Sequence, residues 1–447
     1  MAHLASGPGL LSTGVDLLAH GVGNREDLPI PFAFAVTGAA VAIVASFVAL
    51  RLLWREPRLD PATAGRPLRL ALRLLGALLT AYVVMAATLG RDDALNPTAG
   101  VVYVLFWIGI PLLSMLVGPV WRLLNPVRSL HALFALLLRG HHEDGRGDSP
   151  PDGMAPLPPR LGYWPAALSL LAFVWLELVA PDNTTLPVLR TFFAVYLAFH
   201  LLAATWWGSR WFARGDGFEV FSTLAGRLSV LGRRGDGTLV LRNPLAGVAG
   251  TPAGPGLFAV VGVLLGSTAY DSLTGSTEWA TIVQEGPFSA EVTGTLGLLG
   301  LVALVTLAFA GACALSARGS GLRPLEIGAS FAHSIVPIVM GYVVAHYWSL
   351  LVLIGQQTVV QLSDPLGTGA DWLGTGGRGV DATLADPTLT SVVQVCAVVT
   401  GHLLGVVLAH DSALRLLPRR RAVVGQVPLL VLMVAYTVGG LSLLFAA

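Results

Sequence analysis

The chain has 447 residues, 54% of them apolar and 12% charged, with a mean hydropathy of +0.72. A water-soluble domain carries about 25% charged side chains, so this composition excludes a cytosolic globule and a disordered chain. The net charge of +1 excludes a nucleic-acid binder, whose partner calls for a basic excess. What remains is an all-α polytopic integral membrane protein whose first partner is the lipid bilayer.

Residues 1–30 read as an exterior N-terminal segment. Its apolar run Leu10–Leu18 is interrupted by Asp16, and no arginine precedes it, so it lacks the basic start and unbroken apolar centre of a signal peptide. Residues 31–447 read as one membrane domain. Apolar runs near the length needed to cross a bilayer, about 20 residues, occur at 31–54, 72–90, 99–121, 163–180, 186–208, 256–274, 292–316, 325–356, 389–410 and 427–446. That predicts ten spans. Shorter runs at 122–138 and 218–231 mix Arg with Leu and Phe and read as two helices lying in the interface. Gly140–Pro159 reads as a flexible linker, and Asp236-Gly237 before Thr238–Leu241 as a small hairpin. Neither is large enough to fold alone as a catalytic domain, so any chemistry belongs to the spans or to the loops 275–291 and 357–388.

Arginine supplies the orientation, since every basic residue is Arg. Arg55, Arg58, Arg66 and Arg69 follow the first span, and Arg122 to Arg160 the third. Arg210 to Arg242 follow the fifth, Arg318 and Arg323 the seventh, and Arg415 to Arg421 the ninth. The alternate loops are acidic or nearly neutral. The positive-inside rule then puts the Arg-rich loops in the cytoplasm and both termini outside the plasma membrane.

Titratable groups inside spans are costly and mark candidate sites. They are Glu177, His200, Asp271, His333, His346, His402 and His410. At a rise of about 1.5 Å per residue, Glu177 and Asp271 fall near the outer surface, His200, His333 and His402 share an inner layer, and His346 lies between, opening toward the outer half where Asp271 and Glu177 supply the acid. His333 and His346 are about 220° apart around one continuous helix, so a shared ligand would require a strong bend at Pro337. A divalent transition metal held by His333, His346 and His402 across helices is the candidate centre, with Asp271 or Glu177 as catalytic carboxylate. Against this stands the plainer role of an intramembrane His that hydrogen-bonds a neighbouring helix, and His410-Asp411 reads as a solvated helix end. Cys313 and Cys396 are expected at opposite ends of the bilayer, too far apart to pair. GxSxG, HExxH and GxxxxGK[ST] motifs are absent, and no spacing singles out a triad.

Several stretches together carry a family resemblance: Ala19-His20-Gly21 with Arg25–Pro31, Gly266–Asp271, Phe331–Ser334 with Pro337, Ala345–Leu350, Ser363–Gly367, and Gly401-His402 through Leu408–Asp411. The chain resembles the multi-pass membrane proteins of actinobacteria that carry the name fenitrothion hydrolase, from about residue 19 to the C-terminus. The resemblance implies hydrolysis of the aryl ester bond of an organophosphorothioate, a small lipophilic substrate, but carries no established catalytic residues. Three functions follow. A membrane-embedded, metal-dependent hydrolase would draw its ligands from His333, His346 and His402, with Asp271 or Glu177 as acid or base. A transporter of metal, protons or another solute would use the same groups, and Pro111 and Pro337 occupy matching spans of two five-span halves. A haem protein would use two of His200, His333 and His402 as axial ligands.

Overall fold

The computed structural model describes residues 66–139, 153–233, 239–318, 320–418 and 424–445. Nine helices among the described residues are long and apolar enough to cross a membrane. The expected span at 31–54 lies outside the described residues, as does the exterior segment 1–30. In chain order the principal elements are α1 (Arg66–Leu89), α2 (Thr98–Val117), α3 (Pro126–Arg139), α4 (Trp164–Leu178), α5 (Leu186–Trp207) and α6 (Gly217–Gly226). There follow strands β1 (Leu231–Arg233) and β2 (Leu239–Leu241), then α7 (Leu257–Thr274), α8 (Thr277–Glu285) and α9 (Ala290–Ala317). The chain ends with α10 (Pro324–Phe331), α11 (Val336–Gln361), α12 (Pro387–Leu416) and α13 (Val427–Leu444). The two short strands pair antiparallel, Leu231 opposite Leu241; the second falls in the expected hairpin stretch, while the first begins inside the run 218–231 expected to be helical, and the turn between them lies outside the described residues.

Local chemistry sets the boundaries. Ser276, Ser289 and Asp386 each accept the backbone N–H three residues on, capping α8, α9 and α12, which satisfies a donor the helix start leaves open. Pro187, Pro337 and Pro387 stand in the first turns of α5, α11 and α12, where a missing N–H costs nothing. Gly208 closes α5 with a φ of 74°, a left-handed conformation that a side chain resists.

Two spans are not simple α-helices. In α2 the residues Val101–Phe106 form a π segment, the kind of bulge that often marks a functional stretch. The expected span 325–356 is interrupted, because Ala332–Ile335 wind as a 3₁₀ turn between α10 and α11. His333 therefore sits on the break and His346 inside α11, and an angle counted around one continuous helix does not relate them.

Helix α7 is the centre of the bundle: 78% of its apolar window is buried, against 17% for α1. It packs on α9, α4 and α11. Leucines such as Leu74, Leu78, Leu202, Leu304 and Leu307 stay exposed, as lipid-facing positions require. The tightest pair is α11 with α12. A Cβ on Gly401 would come within 2.5 Å of the Pro337 carbonyl, and one on Gly341 within 2.5 Å of the Ala397 carbonyl. Small residues let the two backbones meet, which is how membrane helices gain packing energy without a hydrophobic drive.

One expected interfacial helix is not superficial. Helix α3 exposes Leu130, Leu133 and Phe134, in keeping with an interfacial position. In α6, by contrast, all residues but Thr223 are buried, because it packs against α2, α4 and the short helix Val120–Leu124. The apolar residues Phe218, Val220, Phe221 and Leu224 lie inside the protein.

Candidate functional site

Three of the sequence-selected residues adjoin one another near the C-terminal end of α7. Asp271, 6% exposed, accepts two hydrogen bonds on Oδ2: from His346 Nε2 at 2.8 Å and from the Tyr347 hydroxyl at 2.9 Å. Both donors come from α11. A carboxylate accepts, so the Nε2–H faces Asp271; in the neutral imidazole that tautomer leaves Nδ1 as an acceptor. His346 Nδ1 lies 3.2 Å from Ser272 Oγ, which lies 2.9 Å from the Tyr342 hydroxyl. Tyr342 in turn donates to the Gly440 carbonyl of α13 at 3.3 Å. The result is a continuous polar chain, Tyr347–Asp271–His346–Ser272–Tyr342, running back and forth between α7 and α11 and ending on the Gly440 carbonyl of α13.

Glu177 of α4 is the third sequence-selected residue here. It lies within electrostatic reach of Asp271 and Tyr347, and its Oε2 is shut away from solvent without a hydrogen-bond partner among the described residues. Its backbone carbonyl accepts from Asn183, whose own carbonyl takes the Tyr103 hydroxyl from the π segment. Trp107, just past that segment, adjoins Tyr347. The interrupted helix α2 thus borders the acid cluster.

The remaining candidates are placed elsewhere. His333 Nε2 is 3.2 Å from Ser412 Oγ, and His402 Nδ1 donates to Val398 O at 2.9 Å, with Nε2 unpartnered among the described residues. Among the described residues no three His, Cys, Asp or Glu side chains converge as a metal site requires, so His333, His346 and His402 do not form the expected joint centre. Each answers to partners of its own helix neighbourhood. Tyr342 joins the chain, Ser334 bonds to Phe331 O, and both amide atoms of buried Gln394 are unpartnered among the described residues. His410 and Asp411 are not a solvated helix end. They are 2% and 3% exposed, with Nδ1 of His410 3.0 Å from Gln426 Oε1 and Asp411 paired with Arg415. The helix runs on to Leu416, so its wet end comes later than the apolar run implies. Cys313 and Cys396 are both free thiols.

His200 belongs to a second polar cluster that sequence reasoning missed. Trp211 Nε1 donates to His200 Nδ1 at 2.9 Å, and the Tyr196 ring lies 4.2 Å from the imidazole. The Tyr196 hydroxyl donates to Asp216 Oδ1, while Asn125 Nδ2 donates to Asp216 Oδ2 at 2.7 Å. Asp216 caps α6, and Glu219 three residues later receives Arg128 through two bonds, at 2.9 and 2.6 Å. Burial pushes both carboxyls above their ordinary range. Hydrogen bonds from Tyr196, Glu219 N–H and Asn125 pull Asp216 partly back, and the Arg128 guanidinium does so for Glu219. The available signal was an Asp-x-x-Glu pair opening a strongly apolar helix, an acidic capping pattern in a place with no wet face to present it. Phe173, Phe218 and Trp107 pack edge to face, 4.8 to 6.2 Å between centroids, and form an apolar layer between the neighbourhoods of Tyr347 and Tyr196.

Chemically, the Asp271 cluster can hold and pass a proton along hydroxyl and imidazole groups. No family model, no curated protein and no solved structure matches this chain.

Proposed function

We propose that the protein is a proton-coupled transporter of the plasma membrane in which Asp271 and His346 exchange the transported proton. The observation that carries this reading is the carboxylate–imidazole pair buried within membrane-spanning helices, extended by Ser272, Tyr342 and Tyr347, with Glu177, whose Oε2 has no hydrogen-bond partner among the described residues, in electrostatic reach. Intramembrane chains of Asp, Glu and His are the usual material of proton relays. Interrupted spans support it further, because α2 carries a π segment and α10–α11 a 3₁₀ break, and broken helices line transport pathways. His402, with its free Nε2 on α12, is the next group on the inner side. In the proposed orientation the Arg-rich loops are cytoplasmic and both ends exterior.

A hydrolytic reading stands second, favoured by one contact besides the resemblance to fenitrothion hydrolases. Ser272, His346 and Asp271 succeed one another as nucleophile, base and orienting acid would,. Ser272 Oγ also bonds to the Thr268 carbonyl of its own helix, however, which draws its proton away from His346. No step in this reading needs a metal.

The test is reconstitution of the full chain in liposomes with a trapped pH-sensitive dye. An imposed pH gradient should collapse faster than in protein-free liposomes, and His346→Ala should restore the slow rate. A wild-type trace equal to the empty control overturns the transport reading. Release of nitrophenol from an aryl phosphorothioate ester, lost in Ser272→Ala, would establish the hydrolase instead.

A further inference from the structure

A cleft separate from the Asp271 cluster gathers positive charge. It has a volume of about 580 Å³ and is lined by Arg122, Arg128, Arg210 and Arg214, with Ser209 and a proline-rich wall that includes residues 156–159. These arginines come from three stretches of chain: the short helix Val120–Leu124, α3, and the turn after α5. Arg128 is committed to Glu219. Arg214 lies over the Tyr163 ring, 4.2 Å from its centroid, which holds its guanidinium in place while leaving its N–H groups available. Among the described residues neither Arg122, Arg210 nor Arg214 forms an ion pair with a carboxylate. Among the described residues, Glu219 is the acid whose charge reaches Arg122, and both it and Asp216 are buried and bonded to Asn125, Tyr196 and Arg128.

Arginines on a membrane protein's basic loops ordinarily spread into water. Here Arg122, Arg210 and Arg214, none ion-paired among the described residues, line one concavity of ligand size together with a proline-rich stretch,. Planar guanidinium forks match the oxygens of a phosphate group better than point charges do. We propose that this cleft binds a phosphate-bearing anion. Two sources share that chemistry: the headgroup of an anionic phospholipid and a soluble phosphate ester.

The full-length protein in mild detergent supplies the test. Retention of phosphatidylglycerol is measured by native mass spectrometry, and binding of glycerol 3-phosphate and inorganic phosphate by equilibrium dialysis. Wild type should bind at least one of them. Arg122→Gln with Arg210→Gln should weaken that binding about 25-fold, taking about fivefold for each arginine lost near an anionic surface. Ala213→Trp, which fills the cleft without altering its charge, should weaken the same ligand and so guards against a folding artefact in the charge variant. Binding of the lipid alone identifies a headgroup site, and binding of the soluble esters identifies a phosphate site. No binding of any of the three by wild type, or binding that survives both variants, overturns the proposal.

Discussion

Asp271→Asn separates the chemical role of the acid cluster from its structural one. The change preserves shape and removes the charge that receives His346 Nε2 at 2.8 Å and the Tyr347 hydroxyl at 2.9 Å. In a soluble protein each hydrogen bond to a charged group contributes about 1.5–3 kcal/mol. Within a bilayer the measured values are smaller, about 0.6 kcal/mol on average and about 1.7 at most, because helices that have come apart stay inserted and find other partners. The second figure applies here, since α7 and α11 both remain in the membrane when they part. The asparagine carbonyl also still accepts one of the two donors. The stability loss is then about 0.6–1.7 kcal/mol, read as a fall of a few degrees in the melting temperature followed by tryptophan fluorescence in detergent. An amide cannot carry a proton, so dye-reported flux in liposomes should fall about 100-fold or more, the scale of losing a positioned acid–base group. His346→Gln should do the same, and the double variant should be no slower than either single one, because both remove the same relay. Full flux in Asp271→Asn, or a loss only in proportion to unfolded protein, refutes the relay.

Arg128→Met should cost about 3 kcal/mol, since it strands a buried Glu219,. Burial already raises the folded Glu219 carboxyl above its unfolded range, so this deficit is absent below that range and grows as the pH rises through the raised value. Melting curves from acid to neutral pH check the sign, and Arg128→Met with Glu219→Gln should recover most of the loss. Gly401→Ala sets a methyl 2.5 Å from the Pro337 carbonyl and should destabilise the α11–α12 pair by about 1–3 kcal/mol, seen as a lower melting temperature, whereas Gly439→Ala, with open space around it, should be neutral. Asp364 is held below the ordinary carboxylate range by backbone N–H groups of Thr368 and Gly369 at 2.9 and 2.6 Å. Order in the 363–376 loop should therefore persist above that range and be lost as the pH falls through the lowered value, and Asp364→Asn should speed proteolysis there at neutral pH. Reporter fusions after Arg146 and Arg234 should read cytoplasm and those near Asp93, Glu285 and Asp371 exterior; one reversed loop breaks the proposed topology.

Membership in the membrane class and the position of every described span were legible in the sequence, because a bilayer imposes a length and a polarity that apolar runs must obey locally. Of the two paired strands, Leu239–Leu241 was legible beside the Asp236-Gly237 turn signal, whereas Leu231–Arg233 lies before the stretch where the hairpin was expected. Asp271, Glu177 and His346 stood out as expensive groups, and the first two fell at a common depth by rise alone. That His346 opens toward the outer half, beside Asp271 and Glu177, was legible from depth; that it shares no site with His333 or His402 was not. That separation depends on how α7 and α11 are rotated against each other and on the 3₁₀ break at Ala332–Ile335, neither of which a hydrophobic period records.

The Asp216–Glu219–Arg128 cluster was the larger omission. A short run containing arginine and glutamate looks amphipathic, and an amphipathic helix is expected at a surface. Only the tertiary structure decided that α6 is enclosed by α2, α4 and the segment Val120–Leu124, with Arg128 arriving from 91 residues away to neutralise Glu219. Local sequence determines which segments must leave water, because transfer free energy is counted residue by residue along a helix. Which polar groups then meet is set by contacts between segments far apart in the chain, and the free energy of those pairings belongs to no single stretch of sequence.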